Sequence, residues 1–316
     1  MSIINTENFQ SPTLIAWAEK MLSIPVPNLI HGVLAMERRM PRNQGYIYRM
    51  SRTNRLDNAM VPLGPSGADI PASLMSRTDI DAKMEFYGNK MIVNEQVTLL
   101  NTDAVTNQAV QILGIQLRTT EDALCRDALA STAGYINCTG GLNADSPTQI
   151  TRSDVSNIYK ILANNNAKTI SSMINGANKI GTGPVRNAYW AMAHTDISTS
   201  LENITGFLNV ANYGDQRNIL ESEFGTVGNV RYILSSAGSV ERNASGLGED
   251  VYNALTCGME AYAIIKQDGY TTKFIHRPAI YDSALALNDT LAWKMATAIK
   301  VTNDQWIYRH RMTIHN

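Results

Sequence analysis

The sequence predicts an α+β fold, and three patterns lead to that expectation. Apolar and charged side chains alternate from Ile80 to Phe86, which is the period of two that a strand with one buried face requires. Apolar residues recur at helical spacing over residues 103–131, which predicts one unusually long helix. Alternation returns over residues 291–311, so we expect closing strands that pair with the base of the earlier hairpin, beside the helix.

Composition excludes several function classes. Hydrophobic residues make up 44% of the 316 residues, enough for a substantial core. The 27 Lys and Arg and 28 Asp and Glu leave a net charge of -1, without the basic excess of a nucleic-acid-binding protein. Residues 1–10 lack the features of a signal peptide, and no apolar stretch approaches the ~20 residues of a membrane helix. We therefore expect cytosol-like surroundings and no membrane partner.

The chain divides into five stretches of different character. An N-terminal arm is interrupted by Pro25 and Pro27, which favour an extended path. A two-stranded hairpin follows, with strands near 45–50 and 80–86 and a long tip, residues 51–75, that contains several Pro and Gly. Because so long a tip is uncommon in a compact domain, we expect it to project towards a partner. The five stretches are residues 1–43, 44–95, 96–184 with the long helix, 185–268 with mixed α/β character, and 269–316 with the closing strands.

Local patterns add detail to the long helix and the α/β region. Asn101, Thr102 or Asp103 can cap the start of the long helix. Thr151 and Asp154 resemble a capping box, followed by a helix. The apolar residues 188–193 predict a buried strand, residues 198–208 a helix, and residues 230–235 a further strand.

Few residues suggest chemistry. His194 and Asp196 follow a predicted strand, where α/β enzymes often place reactive groups, and Glu221 and Glu223 offer paired carboxylates. The competing interpretation is that His194 is held by a backbone partner and Asp196 caps a turn. No nucleophile motif accompanies them, and the glycines at 181 and 183 lack the P-loop lysine. We predict no catalytic site, although a cytosolic α/β enzyme using His194 and Asp196 stays an alternative.

Metal and cofactor sites are not expected either. The cysteines Cys125, Cys138 and Cys257 are odd in number and lack metal-ligand spacing, so we expect free thiols. The histidines likewise show no metal-ligand spacing. The sequence therefore predicts neither a metal nor a cofactor.

The strongest charge feature is a group of arginines without an intervening acid. A solvated face is one interpretation, and nucleic-acid binding is another, weakened by the lack of interleaved aromatic residues. Because arginine forms bidentate pairs with carboxylates, we favour contacts with acidic groups on neighbouring subunits. The candidate inter-subunit residues are Arg38, Arg39, Arg42, Arg49, Arg52 and Arg55.

The order of these elements resembles the capsid fold shared by tailed-phage major capsid proteins, encapsulin shells and herpesvirus capsid floors. Local sequence is similar to that of a podovirus-type family of major capsid proteins. The four matching segments, in chain order, are Asn28–His31, Ala193–Asp196, Glu223–Thr226 with Val230–Tyr232, and Leu291–Lys294.

The resemblance implies an N-arm (1–43), an E-loop (44–95), a P-domain with a spine helix (96–184), an A-domain (185–268) and closing P-domain strands (269–316). It implies a structural subunit that assembles into pentamers and hexamers of an icosahedral phage head, enclosing double-stranded DNA without sequence-specific binding. The implied location is the virion capsid, assembled in the host cytoplasm.

Further partners follow from the same resemblance. A scaffolding protein and a portal are implied, and a decoration protein is a further candidate. The N-arm is too short to hold a scaffolding extension, so either a separate scaffolding protein or an already processed chain is implied. The family has no catalytic site to carry over, and the alternative within the same fold is an encapsulin-like compartment.

Overall fold

The computed structural model describes residues 24–56, 58, 72–94, 105–142, 146–170, 187–213, 219–220, 222–270, 272–278 and 287–314. Predictions for the N-terminal part of the arm, for most of the hairpin tip, for the cap at residues 101–103, for Glu221 and for the glycines at 181 and 183 lie outside these residues. Within the described residues strands predominate over helices, and the predicted α+β class is confirmed.

The described elements have the following bounds. The strands are β1 (Met36–Met40), β2 (Ile47–Thr53), β3 (Arg77–Lys83), β4 (Glu85–Asn94), β5 (Gly134–Asn137), β6 (Tyr189–His194), β7 (Phe207–Asn209), β8 (Glu223–Val227), β9 (Val230–Ser235), β10 (Val240–Glu241), β11 (Val251–Cys257), β12 (Tyr262–Gln267), β13 (Thr272–Arg277), β14 (Asn288–Val301) and β15 (Ile307–Met312). The helices are α1 (Val105–Thr132), α2 (Arg152–Asn164) and α3 (Ser198–Glu202).

The first sheet is built around the long strand β14. Strand β4 pairs with β14 on one side, and β13 and β12 pair with it on the other, all antiparallel. Strand β1 then pairs with β12 in parallel. Since β4 follows directly from the hairpin, the predicted return of a closing strand to the hairpin base is confirmed for β14.

The second sheet runs in the order β5-β15-β11-β6-β9-β8-β7, with β10 also paired to β11. The expectation that all closing strands join the hairpin base is wrong for β15, which lies between β5 and β11 in this sheet. Conversely, β12 lies in the first sheet, although it belongs to the predicted α/β stretch of residues 185–268. The local alternation of apolar and polar residues does not indicate which distant strand a strand pairs with. The proposed limits of the five stretches stay a prediction.

Helix α1 joins the two sheets. Its 28 residues span about 42 Å, and the predicted helix over 103–131 is confirmed within the described residues. Ala109, Leu113 and Leu117 near its start pack on β4 and β14. Cys125 and Leu129 near its end pack on the second sheet. One helix thus fixes the position of both sheets.

Helix α2 covers the opposite face of the second sheet. The predicted capping box is present: Thr151 Oγ1 accepts from the Asp154 backbone N–H, and the Asp154 side chain accepts from the Thr151 backbone N–H. Val155, Ile158 and Leu162 form the buried face of the helix.

The predicted helix over 198–208 is wrong in its second half. Helix α3 ends at Glu202. Gly206 adopts φ 84°, which ends the helical path, and the chain continues into β7, paired with β8.

The hairpin consists of β2, β3 and the residues that connect them. The two strands pair from Ile47 opposite Lys83 to Thr53 opposite Arg77. The predicted alternation holds through Met84, which is buried, but Phe86 is 71% exposed. The chain leaves the hairpin at Met84 and joins β14 as β4, and there the inward side chains become Tyr87, Met91 and Val93.

Candidate functional site: the hairpin and the arm anchor

The base of the hairpin is fixed firmly to the first sheet. Ala82 and Met84 are buried against a small apolar cluster that includes Met40, Ala296 and Ala298. Among the described residues nearer the tip, two apolar side chains are exposed instead. Leu74 is 88% exposed and Met75 77% exposed. Adjacent exposed apolar side chains of this size are typical of a surface that another molecule covers.

Two of the six candidate arginines are held within the subunit. Arg49 forms a bidentate pair with Asp81 on the facing strand, with N–O distances of 2.7 and 2.8 Å. This hydrogen bonding raises the pKa of Arg49 and lowers the pKa of Asp81. Arg42 donates to the backbone oxygens of Asp268, at 3.1 Å, and Gly269, at 3.3 Å.

The other four arginines have no carboxylate partner among the described residues. Arg38 and Arg39 lie exposed on β1, where Arg38 Nη2 contacts Met36 Sδ at 3.3 Å. Arg55 Nη2 donates to the amide oxygen of Asn58 at 3.1 Å. Arg52 is exposed on β2. The structure therefore divides the arginine group, and the inter-subunit role stays a prediction that now concerns these four residues most directly.

The arm is anchored at His31. The backbone N–H of His31 donates to Asp122 Oδ1 at 2.8 Å, and His31 Nδ1 lies 2.7 Å from Asp122 Oδ2. The Tyr262 hydroxyl donates to the His31 carbonyl oxygen at 2.5 Å, and Ser235 Oγ donates to the Asn28 carbonyl oxygen at 2.5 Å. These contacts join the arm to α1, β9 and β12.

Asp122 was not among the residues that the sequence singled out. Although it carries a carboxylate, only 5% of its surface is exposed. No local pattern reveals this, because the partner of Asp122 lies 91 residues away. On the same helix, the apolar side chain of Ile112 is exposed.

The residues of the enzyme alternative have structural roles. The His194 side chain accepts a hydrogen bond from the Asp196 backbone N–H at 3.2 Å and so caps the 3₁₀ turn Thr195–Ile197. The Tyr252 hydroxyl donates to Asp196 Oδ2 at 3.0 Å. Asp196 lines a groove of about 850 Å³, but His194 does not. A backbone partner for His194 was predicted, whereas the predicted cap at Asp196 is wrong because His194 is the capping residue.

Glu223 is satisfied by buried partners. Both of its carboxylate oxygens accept from the Arg231 guanidinium, and Glu223 Oε1 also accepts from the Tyr213 hydroxyl at 3.0 Å. The guanidinium lies 4.3 Å from the ring centroid of Trp190. A carboxylate held in this way fixes β8 to β9 and is not available for acid–base chemistry.

The cysteines are free and buried. Cys138 Sγ lies 3.1 Å from His310 Nε2, and burial raises the pKa of the Cys138 thiol well above its usual value. Among the described residues no group of three or more His, Cys, Asp and Glu side chains could hold a metal ion. The described helices also include none with the length and apolar character needed to cross a membrane.

The protein is similar to known proteins in structure and not in sequence. No protein-family model matches the sequence, and no curated protein matches it. Solved structures are similar to the chain along nearly its whole length. The capsid of Ralstonia phage GP4 has a TM-score of 0.69 at 12% identity, over 100% of this chain and 99% of that chain.

Two further structures give the same result. The head of Helicobacter pylori bacteriophage KHP40 has a TM-score of 0.68 at 12% identity, over 99% of both chains. The capsid of cyanophage P-SCSP1u has a TM-score of 0.67 at 12% identity, over 96% of this chain and 94% of that chain. The chain therefore has the fold of bacteriophage capsid proteins.

Proposed function

We propose that this protein is the major capsid protein of a tailed bacteriophage. The observation that carries the proposal is the end-to-end similarity to capsid and head structures, which covers 99–100% of this chain and 99% of those chains. The encapsulin-like alternative is not favoured, because the similar structures are phage capsids and heads. The enzyme alternative loses support because His194 and Glu223 are engaged in structural contacts.

Assembly follows from surface that one subunit leaves exposed. The base of the hairpin is packed on its own subunit, whereas Leu74 and Met75 remain exposed. Burying such side chains against a neighbour is favourable by about 25 cal/mol per Å² of apolar surface. Interfaces of this obligate kind often exceed ~2,000 Å². In the proposed shell each hairpin lies on an adjacent subunit of a pentamer or hexamer.

The arginines of the hairpin are expected to select the surface of the neighbouring subunit that the hairpin contacts. Arg52 and Arg55 carry charges that no described carboxylate of the same subunit neutralises, whereas Arg49 is already paired with Asp81. A carboxylate on the neighbouring subunit would satisfy them and fix the register of the contact. Arg38 and Arg39, on the edge strand β1, are candidates for a second contact.

The remaining partners belong to the same proposal. A scaffolding protein would guide assembly, a portal would occupy one vertex, and a decoration protein is a further candidate. The near-neutral chain suits a shell that confines double-stranded DNA without sequence-specific binding. We place assembly in the host cytoplasm and the finished subunit in the virion, with no catalytic activity.

Charge reversal on the hairpin tests the proposal. The paired change Arg52→Glu and Arg55→Glu should abolish fast-sedimenting particles when the chain is expressed with its scaffolding partner. The subunit should keep its far-ultraviolet circular dichroism, because neither side chain contributes to the core. Sedimentation velocity distinguishes particles from free subunits.

Arg42→Gln provides a matched control. Arg42 belongs to the same arginine group but donates only to backbone oxygens of its own subunit, so this variant should still assemble. Normal particle formation by the Arg52 and Arg55 double variant would contradict the docking role. Absence of particles from the unmodified chain would contradict the capsid proposal itself.

A further inference from the structure

We propose that the uncovered face of the first sheet, on β4, β14 and β13, is a docking surface for an acidic polypeptide segment of another protein, one whose carboxylates alternate with apolar side chains. The inference goes beyond the proposed function, which concerns contacts between copies of this chain. It rests on which side chains share this face, on their charge and on their exposure.

The pairing register shows which residues lie on each face. Directly opposed residues of antiparallel strands project to the same side of a sheet. Leu291 and Trp293 of β14 face α1, where Trp293 Nε1 donates to Gln116 Oε1 at 3.2 Å. Ala292 lies between these two residues and Lys294 follows Trp293, so both side chains face the opposite side of the sheet.

The rows across the three strands define this opposite side, called the open face below. Gly88, Lys294 and Lys273 form one row, and Lys90, Ala292 and Ile275 form the next. Phe86 lies beside the first row and Ile92 beside the second. Strands β2 and β3 cover the neighbouring part of the same side through contacts to Ala296 and Ala298. In the rows themselves, Gly88, Lys90 and Lys273 are exposed.

The open face carries positive charge without compensation. None of the residues that share these rows is acidic, and Lys90, Lys273 and Lys294 have no carboxylate partner within the described ranges. The acids of the same strands lie on the other side: Glu85 bonds to the Tyr87 hydroxyl, and Asp289 pairs with Val93. A partner with carboxylates is therefore favoured electrostatically.

Apolar side chains separate the lysines. Phe86 is 71% exposed and Ile92 is 56% exposed. The Phe86 ring packs edge-on against Tyr270, with centroids 6.2 Å apart, and Lys294 Nζ lies 5.2 Å from the Tyr270 ring centroid. Contacts of this kind hold Phe86 and Lys294 in place before any partner arrives.

This composition discriminates between possible occupants. Duplex DNA would use the lysines, but its phosphates would leave Phe86 and Ile92 uncovered. The hairpin of a second copy carries Arg52 and Arg55, which no described carboxylate neutralises, and these would be repelled by the lysines. An acidic segment with alternating apolar residues satisfies both the charges and the exposed apolar area.

Binding of three labelled probes to the full chain tests the inference by fluorescence anisotropy. The probes are a short peptide with glutamates alternating with leucines and serines, a polyglutamate peptide of equal charge, and a short DNA duplex. We expect the mixed peptide to bind most tightly. The paired change Lys90→Glu and Lys273→Glu should weaken its binding at least about tenfold, and Phe86→Ser should weaken the mixed peptide but not polyglutamate.

Lys160→Glu, at an exposed position of α2, is the matched control and should leave binding unchanged. Tighter binding of the DNA duplex, with the same loss in the lysine variant, would overturn the inference in favour of a nucleic-acid lining. Lack of peptide binding, or binding that ignores the lysine changes, would also overturn it. Shell formation is measured separately, so a failure here is distinguishable from a failure of the capsid proposal.

Discussion

His31 Nδ1 lies 2.7 Å from Asp122 Oδ2, and the His31 backbone N–H donates to the other oxygen of the same carboxylate at 2.8 Å. Both residues are buried. The pair joins His31 of the arm to α1, the helix that packs against both sheets. One carboxylate thus holds both a side chain and a backbone group of this arm segment against the helix.

Removing this carboxylate should be costly. Asp122→Ala leaves the buried His31 backbone N–H without its acceptor, and we expect a loss of about 3 kcal/mol in the free energy of unfolding. Urea unfolding followed by circular dichroism measures it. Asp127→Ala, an exposed change on the same helix that removes only a pair with Arg126, should cost less than about 0.5 kcal/mol. Equal losses at the two positions would contradict the anchor.

The Glu223–Arg231 pair should behave as a coupled unit. Glu223→Gln removes the carboxylate charge that pairs with the buried Arg231 guanidinium beside Trp190, which should destabilise the fold by about 3–5 kcal/mol. Glu223→Met together with Arg231→Met should cost clearly less than the sum of the two single changes. A double-mutant cycle from denaturant unfolding tests this, and strict additivity would show that the two groups act independently.

His310 should make the fold sensitive to acid. Burial lowers the pKa of His310 from 6.5 to about 4, against a smaller opposing effect of Asp154. Because the folded-state pKa is depressed, the unfolded chain takes up a proton first. The stability that neutral His310 contributes is therefore complete above pH ~6.5 and is lost as the pH falls towards ~4, by up to about 3 kcal/mol.

The difference between the chain and its His310→Gln variant measures this effect. The variant should lose less stability between pH 6.5 and 4, whereas His276→Gln, at an exposed histidine, should follow the unmodified chain. Parallel stability curves for His310→Gln and the unmodified chain would show that His310 does not titrate as its burial implies.

Two glycines should respond in opposite directions to alanine. A Cβ at Gly225 would lie 2.5 Å from the Phe207 ring and 2.7 Å from the Leu208 carbonyl oxygen, so Gly225→Ala must displace β7. We expect a loss of about 1–3 kcal/mol. A Cβ at Gly114, inside α1, meets nothing within 4 Å, so Gly114→Ala should stabilise by about 0.5–1 kcal/mol. Thermal unfolding resolves the two signs.

Elements with strong local periodicity could be predicted from the sequence. The long helix, the strand around residue 293 and the capping box at Thr151 all depend on neighbours within a few residues. The sheet that β15 joins could not be predicted, because its partner β11 lies about fifty residues earlier and any apolar strand offers a similar edge. The change of face at Met84 was missed because the chain switches sheets there without a turn residue.

The candidate site was only partly predictable for the same reason. The arginine group was visible as a run without acids, but the bond from Arg49 to Asp81 crosses 32 residues. Asp122 gave no signal in its own helix, since an isolated acid on a polar face is ordinary. The segment Asn28–His31, which carries part of the family resemblance, contains His31, the partner of Asp122. The contact between the two residues is visible only in the structure.

Imaging by cryo-electron microscopy of the chain expressed with its scaffolding partner tests the central claim most directly. The account predicts closed icosahedral shells in which pentamers and hexamers are resolved and each hairpin crosses onto a neighbouring subunit. Subunits that remain monomers or dimers under all conditions, and never form rings, sheets or shells, would contradict it.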